Sequence, residues 1–387
     1  MKILGVNTSH DTTVAWVEDG EVRNVFEEER CRRSKYWSPG SDVAHDQVKL
    51  LAIDHYQLHQ PDAVAFATYD RRQVNVHFAD FVQEDRLLQK DLIQEFTKEQ
   101  LSLERLKEIQ KNFPKAILDI SEDYLDADKM INESILQQIN TEDVIVDFDI
   151  NGHHFFHAVC ASHLSPYDEA ICITWDGGGS NCYHEDGWPG YQEGECIFHY
   201  KNEQVKPLFR RMTNHRFIDD LQATAFTGWQ DGELHCLEPH TETIRDCEVE
   251  FVSVPTNGMN FSNMSYALGC DDLGRAAGKV MGMASYGRLI PNVYNKHTVA
   301  NMLEHDALDH SIAFIKKAID MVPDCKNIVL SGGFSLNCTN NYKYLQAFPD
   351  HQFFVDPIPH DGGTAVGAAI NLHRSLQEGE DVSNGDS

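Results

Sequence analysis

The chain has 387 residues, a length that predicts two or three domains or lobes. Its 61 acidic residues outnumber its 32 basic ones, and the net charge of −29 excludes a general polyanion-binding protein, because phosphates are held by Lys and Arg. No apolar run approaches the ~20 residues that a membrane-spanning helix needs. Ten cysteines without a Cys-x-x-Cys pair, and a first segment without a signal-peptide profile, predict a reduced cytoplasmic enzyme.

The predicted elements begin with a β-meander. Apolar strands are expected at 3–7, 12–17 and 22–26, and Asp19-Gly20 is typical of a tight hairpin turn. A polar loop at 8–11 separates the first two strands.

A helix over 43–58 and a strand over 63–68 are expected next. Residues 71–142 then contain no glycine and are rich in Glu, Gln and Leu, and their apolar residues recur at helical spacing. We interpret this segment as a helical insertion packed on the body, with a dimerisation arm or a lid as alternatives.

The second half alternates strands and helices. Strands predicted at 144–148 and 170–175 flank a helix over 153–163. Two further strands, at 328–330 and 353–355, each precede a glycine-containing turn and a helix. Such alternation predicts an α/β fold.

His153 and His157 are candidate metal ligands. On a helix, residues four apart leave the same face, so two imidazoles can bind one divalent ion. The glutamate of zinc proteases is absent, because His154 follows His153. In a chain with 20 histidines, a structural or surface pair is the alternative interpretation.

Two strand-end aspartates favour the metal interpretation. Asp176 opens a triple-glycine loop at 177–179, and Asp361 precedes the glycines at 362–363. Glycine N–H groups can approach phosphate oxygens closely, although either loop also fits an ordinary tight turn. A set of His and Asp ligands suits iron(II), manganese or zinc.

A third loop predicts a nucleotide site. Ser331, Gly332 and Gly333 follow a predicted strand, and the next helix carries Asn337 and Asn341. The glycine pair leaves room for an adenosine, and amide side chains can bond to a ribose or a base. A plain turn is the alternative.

Two basic stretches stand out in this acidic chain. They lie at 30–35 and 210–216, and either can contact phosphates or form ion pairs on the surface.

Five motifs occur in a fixed order. They are the His10-Asp11 loop with the Asp19-Gly20 turn and Glu27–Arg30, then His153–Ala158, Gly278–Gly287, Ser331–Asn337 and Pro359–Ala369. Together they resemble the O-carbamoyltransferases of antibiotic biosynthesis and nodulation-factor synthesis. The resemblance covers about residues 1–70 and 143–375.

The resemblance implies an actin-like, sugar-kinase-like (ASKHA) α/β fold of two lobes around a nucleotide cleft, which is shared with enzymes that place threonylcarbamoyl groups on tRNA. We expect lobe I at 1–260, including the insertion at 71–142, lobe II at 261–375, and a flexible acidic tail at 376–387.

The resemblance also implies a reaction. Carbamoyl phosphate and ATP give carbamoyl adenylate, from which the carbamoyl group passes to an acceptor hydroxyl beside an iron-type metal. The implied metal ligands are His153, His157, Asp176 and Asp361. The expected nucleotide-binding residues are Gly177, Gly178, Ser331, Gly332, Gly333, Asn337 and Asn341. His10 is the expected general base and Asp11 its orienting group; a loop histidine bonded to its own backbone is the alternative.

The predicted function is therefore O-carbamoylation of a small molecule, a nucleoside or a hydroxymethylated base within a nucleic acid. The alternatives are a tRNA threonylcarbamoyl transferase and a catalytically incomplete, nucleotide-binding regulatory partner. The motif at 278–287 favours the O-carbamoyltransferase over the tRNA enzyme. The family's adenylate-forming domain has no counterpart in this sequence, so we expect either that a separate adenylate-forming partner makes the intermediate or that these two lobes work differently. A homodimer is a further expectation, and membrane association is not.

Overall fold

The computed structural model describes the chain in segments. The described residues are 1–9, 11–39, 49–67, 134–139, 145–147, 152–179, 181–182, 191–213, 229–230, 233–234, 239–244, 246–252, 255–270, 276–289 and 295–377. His10, almost all of the predicted insertion, and residues 378–387 of the predicted tail lie outside these ranges.

The chain forms two compact units, each made of separate stretches of sequence. The first comprises residues 1–160, 180–188 and 360–387, and the second comprises 161–179 and 189–359. The lobe boundary predicted at residue 260 does not coincide with any of these limits. The chain enters the second unit within the helix that begins at His153, returns to the first for residues 180–188, and returns to it again at His360.

A five-stranded mixed sheet forms the first unit. Its strands are β1 (Lys2–Asn7), β2 (Thr13–Glu18), β3 (Glu21–Glu27), β4 (Ala63–Ala67) and β5 (Ile145–Asp147). The order is β3-β2-β1-β4-β5, with β1, β2 and β3 antiparallel and β4 and β5 added in parallel. Strands β1 and β4 are almost completely buried, as expected for apolar runs covered on both faces.

Short helices and one long helix complete the first unit. They are α1 (Glu28–Arg32), α2 (Leu51–Tyr56), the first part of α3 (His153–Leu164), and α8 (Gly362–Gln377). Helix α8 lies so close to the sheet that a Cβ on Gly5 would stand 2.0 Å from the carbonyl oxygen of Ala365. A Cβ on Gly367 would stand 2.0 Å from the carbonyl oxygen of Phe156 in α3. Glycine at these two positions therefore permits direct backbone packing.

A second mixed sheet forms the second unit. Its strands are β6 (Glu169–Trp175), β8 (Tyr191–Lys201), β9 (Gln204–Thr213), β12 (His240–Ile244), β13 (Cys247–Val252), β14 (Asn327–Ser331) and β15 (Gln352–Val355). They lie in the order β12-β13-β9-β8-β6-β14-β15. Strands β10 (Trp229–Gln230) and β11 (Glu233–Leu234) pair with each other in a separate two-stranded sheet. The two-residue strand β7 (Asn181–Cys182) lies in the stretch 180–188 of the first unit. Strands β6, β14 and β15 run parallel, so their carboxyl ends meet at one edge.

Four α-helices belong to the described part of the second unit besides the end of α3. They are α4 (Asn257–Ala267), α5 (Ala277–Ala284), α6 (Lys296–Met321) and α7 (Cys338–Ala347), with a 3₁₀ turn at Gly333–Leu336. Trp175, Phe314, Phe334 and Tyr344 pack together in the core, with Phe334 edge-on to Trp175. In the described residues, no helix combines the length and the apolar character needed to span a membrane.

The α/β prediction is confirmed, and so are most of its elements. The Asp19-Gly20 turn joins β2 to β3 with positive φ at both residues, as a type I′ hairpin requires. The predicted helix at 153–163 is α3, and the strands after it are β6, β14 and β15. Sequence reasoning did not identify the β8–β9 hairpin or helices α4 to α6.

Replacing Gly367 by Ala should destabilise the first unit. The added methyl group would overlap the backbone of Phe156, and such overpacking costs about 1–3 kcal/mol. Urea denaturation measures the change. Gly282→Ala in α5 is the matched control, because its Cβ meets nothing within 4 Å, and alanine should stabilise an exposed helix site by about 1 kcal/mol. Equal stabilities of the two variants would contradict the packing described here.

Candidate metal centre and nucleotide loops

Helix α3 carries the predicted histidine pair in its first two turns. Gly152 precedes it with a φ of 105°, and His153 and His157 are both almost completely buried. Their Nε2 atoms are 3.1 Å apart, with the rings nearly perpendicular. Two nitrogens bound at about 2.0–2.1 Å to one tetrahedral ion lie roughly 3.3 Å apart. The observed separation therefore fits a shared metal ion.

Asp361 completes this group within the first unit. Its Oδ1 atom lies 3.3 Å from Nε2 of His153 and 3.9 Å from Nε2 of His157. The Ser9 hydroxyl donates a 3.0 Å hydrogen bond to Oδ2, and the Asn7 amide donates one to the Asp361 carbonyl oxygen. The carboxylate is thus oriented with Oδ1 toward the histidines. Two imidazoles and one carboxylate form a donor set that suits a divalent transition metal.

Asp11, the predicted orienting residue, lies near a histidine that sequence reasoning missed. Its Oδ2 atom is 3.9 Å from Nδ1 of His360, while Nε2 of His360 is 3.1 Å from Oε1 of Glu27. The hydrogen bond from His360 is the main reason that the pKa of Glu27 falls to about 2, and Arg30 adds to it. Burial lowers the pKa of His360, but the contacts with Glu27 and Asp11 outweigh it, so that pKa is raised.

Both residues of this pair stand inside motifs quoted above. Glu27 opens the Glu27–Arg30 run, and His360 is the neighbour of Asp361 in Pro359–Ala369. The motifs could have identified them, but neither was singled out. His10 lies outside the described residues, so its role as a base stays a prediction.

Asp176 and two of the predicted glycine loops come together in the second unit. Oδ1 of Asp176 accepts hydrogen bonds from the N–H groups of Gly177, at 2.7 Å, and Gly333, at 3.3 Å. Gly332 has a φ of 85°, and a Cβ there would stand 2.3 Å from the carbonyl oxygen of Trp175. Asp176 is thus placed at the glycine loops of its own unit, and its role as a metal ligand stays a prediction.

The other predicted nucleotide residues hold the loop in shape. Asn337 caps α7, because its Oδ1 accepts from the Asn340 N–H, and its Nδ2 donates to Oε2 of Glu304. The Asn341 amide donates to the carbonyl oxygen of Ser335. Ser331 likewise donates from its hydroxyl to Oδ2 of Asp356. These contacts fix the segment after β14, and contact of its side chains with a nucleotide remains a prediction.

The two basic stretches contain cations that are paired with carboxylates. Arg210 contacts Glu193 at 2.6 Å, and Arg211 contacts the fully buried Glu195 at 2.5 Å. In the first unit Arg30 pairs with Glu27 and Arg32 with Glu28. Much of the positive charge in both stretches therefore balances internal acids.

The chain matches one known protein family over most of its length. It matches the family described as Carbamoyltransferase N-terminus over residues 2–319 and 298–370. These ranges cover most of the chain, and the chain belongs to this family. The resemblance inferred from the five motifs is therefore confirmed, and the described sheets and helices agree with the α/β class that it implies.

Curated relatives of the chain include two nodulation proteins. It is 23% identical to nodulation protein NolNO of Sinorhizobium fredii over 258 residues, which is 65% of this chain and 35% of that protein. It is 24% identical to nodulation protein NolO of Bradyrhizobium diazoefficiens over 233 residues, which is 58% of this chain and 38% of that one. The chain thus matches little more than a third of the length of these relatives.

Solved structures similar to the chain include a sugar kinase and HypF. A ROK family glucokinase from Streptomyces griseus, in complex with glucose and AMPPNP, aligns with 97% of this chain and 100% of its own at 12% identity, with a TM-score of 0.44. Full-length HypF in its phosphate- and nucleotide-bound form aligns with 97% of this chain and 56% of its own, at 12% identity and a TM-score of 0.45.

Replacing Glu304 by Gln should remove a pH-dependent loss of stability. Glu304 lies on the buried stripe of α6, and burial raises the pKa of its carboxyl above the ordinary 4.5. Because the folded state holds this proton more tightly than the unfolded state, its stabilising contribution is complete below about pH 4.5 and is lost as the pH rises through the folded-state pKa.

The measurement is urea denaturation at a series of pH values from 4.5 upward. We expect the free energy of unfolding of Glu304→Gln to rise relative to wild type as the pH increases. Asp320→Asn, on the exposed face of the same helix, is the control and should follow wild type. A constant difference between Glu304→Gln and wild type would refute the assignment.

Proposed function

We propose that the chain catalyses transfer of a carbamoyl group from carbamoyl adenylate to an acceptor hydroxyl. The observation that carries this proposal is the buried cluster of His153, His157 and Asp361 in a member of the carbamoyltransferase N-terminal family. Because the chain matches only part of its relatives' length, we assign it the transfer step. Synthesis of the adenylate from carbamoyl phosphate and ATP is assigned to a separate domain or protein.

The first unit supplies the proposed metal ligands. His153, His157 and Asp361 would hold iron(II), or alternatively manganese or zinc, which all accept nitrogen and oxygen donors. Such an ion supplies Lewis-acid stabilisation of charge that develops on a phosphate or carbonyl oxygen. The Ser9 hydroxyl donates to the Asp361 carboxylate and the Asn7 amide donates to the Asp361 backbone carbonyl oxygen, and these bonds orient the proposed ligand.

In the proposed transfer step, one bond forms, one bond breaks, and the released proton has an acceptor. The acceptor oxygen forms a bond to the carbamoyl carbon, and the bond from that carbon to the phosphate oxygen breaks. AMP leaves with the electron pair. The hydroxyl proton passes to His10, the proposed base, and Asp11 orients that base. The glycine loops of the second unit are proposed to hold the adenylate, because the absence of side chains there lets a nucleotide approach the backbone closely.

The alternative of a regulatory, nucleotide-binding partner is favoured by one observation. The chain matches 35% of NolNO and 38% of NolO, so activity known for a full-length relative need not reside in this part alone. Such a partner would bind ATP or AMP without transferring a carbamoyl group. Activity with supplied carbamoyl adenylate separates the two proposals.

Double replacement of His153 and His157 by Ala should remove a bound metal. Both imidazoles are buried within 3.1 Å of each other, so the variant loses two of the proposed ligands at once. Elemental analysis of purified protein should show about one transition-metal ion per wild-type chain and almost none in the variant. His163→Ala, on the last turn of the same helix, is the control and should retain the metal. Unchanged metal content in the double variant would rule out this centre.

The transfer step can be tested with the intermediate itself. The chain should be slow with carbamoyl phosphate and ATP, active with supplied carbamoyl adenylate, and fully active when an adenylate-forming protein is added. Mass spectrometry of acceptors, including sugars, nucleosides and hydroxymethylated bases, detects the product. His10→Ala should reduce the rate by about 10²–10⁴-fold while retaining metal and nucleotide, since that is what a general base contributes. Absence of transfer from the adenylate by wild type would favour the regulatory partner.

A further inference from the structure

We propose that Asp176 is a positioning residue that joins two glycine loops of the second unit and holds them ready for a nucleotide. This inference rests on the proposed nucleotide binding. It gives Asp176 a role within its own unit that differs from metal coordination.

The sheet brings the two loops together. Strands β6 and β14 are parallel neighbours, with Thr174 opposite Ser331 in the register. Asp176 lies just beyond the end of β6, and Gly332 and Gly333 follow the end of β14. The carboxyl ends of adjacent parallel strands meet at one edge, which is where open α/β sheets bind ligands.

A single carboxylate oxygen then links the loops. Oδ1 of Asp176 accepts from the N–H of Gly177 in its own loop and from the N–H of Gly333 in the other. Both hydrogen bonds are charge-assisted, which makes them stronger than neutral ones. The carboxylate thereby fixes the distance between two segments that have no side chains at these positions to pack against each other.

The sterics of the loops agree with this link. A Cβ on Gly333 would stand 2.9 Å from Oδ1 of Asp176, inside the space that the carboxylate occupies. Gly332 has room only for a hydrogen against the Trp175 backbone. The two glycines are therefore required by Trp175 and Asp176 themselves, before any ligand is considered.

The start of α4 supports Asp176 from a third direction. The Thr256 hydroxyl donates to the Asp176 carbonyl oxygen at 3.1 Å, and the Asp176 N–H donates to the carbonyl oxygen of Gly194. A Cβ on Gly258 would stand 2.4 Å from the carbonyl carbon and oxygen of Asp176. Both the N–H and the carbonyl oxygen of Asp176 are thus hydrogen-bonded, which fixes the position from which its side chain reaches the two loops.

Two substitutions separate this role from charge or metal binding. Asp176→Asn keeps an oxygen that accepts from both glycine N–H groups, whereas Asp176→Ala removes it. Calorimetric titration of the chain with ATP and with AMP should give an affinity for Asp176→Asn within about threefold of wild type. The affinity of Asp176→Ala should fall about tenfold or more, as expected for lost hydrogen bonds to a charged group. Asn295→Ala, which removes the cap of α6 in the same unit, controls for general destabilisation and should bind as wild type.

Amide hydrogen exchange without nucleotide provides a second readout. The Gly177 and Gly333 amides should be protected in wild type and in Asp176→Asn, and should exchange faster in Asp176→Ala. Wild-type affinity and protection in Asp176→Ala would overturn the proposal. So would equal losses in both variants, which would indicate that the charge acts instead. Failure of wild type to bind either nucleotide, with the exchange pattern as expected, would reject the proposed nucleotide binding while leaving the loop link in place.

Discussion

The carboxylate of Asp361 is the group on which the first unit's candidate centre depends. Asp361 lies immediately before α8. The Ser9 hydroxyl donates to its carboxylate, while the Asn7 amide and the Thr364 hydroxyl both donate to its backbone carbonyl oxygen. The Nε2 atoms of His153 and His157 in α3 lie 3.3 Å and 3.9 Å from the other carboxylate oxygen, Oδ1. The close backbone packing at Gly5 and Gly367 holds α8 against β1 and against α3. It therefore fixes the positions of the three elements around Asp361.

The sequence predicted much of this arrangement because its signals are local. A strand that ends in Asp or Ser, followed by glycines, marks the edge of an α/β sheet, and this pattern located Asp176 and the loop after β14. Asp361 was also expected at a strand end, but it lies beyond β15, immediately before α8. The i,i+4 spacing of His153 and His157 needed only a helix to bring the rings together. Ordered motifs then identified the family, which a single loop could not have done.

The β8–β9 hairpin, helix α6 and the pairing of Arg211 could not be predicted, because their residues depart from the usual local sequence patterns. The β8–β9 turn is Asn202-Glu203, with positive φ at both residues, and glutamate there conceals the usual Asn-Gly signal. Helix α6 carries Glu304 and Ser311 on its buried face, which weakens its apolar periodicity. Arg211 looked like part of a surface patch, yet it pairs with a buried carboxylate from a neighbouring strand. Such pairs depend on tertiary partners and cannot be recognised from spacing.

The discontinuous first unit has a consequence for synthesis on the ribosome. Its leading strands are made first, but the helix that covers them, α8, ends only at Gln377. The apolar faces of strands β1 and β4 that α8 covers therefore remain exposed until the whole second unit has been translated. Contacts across so many residues slow folding, and exposed strands invite aggregation in the interval. A nascent chain stalled before α8 is thus the form most in need of a chaperone.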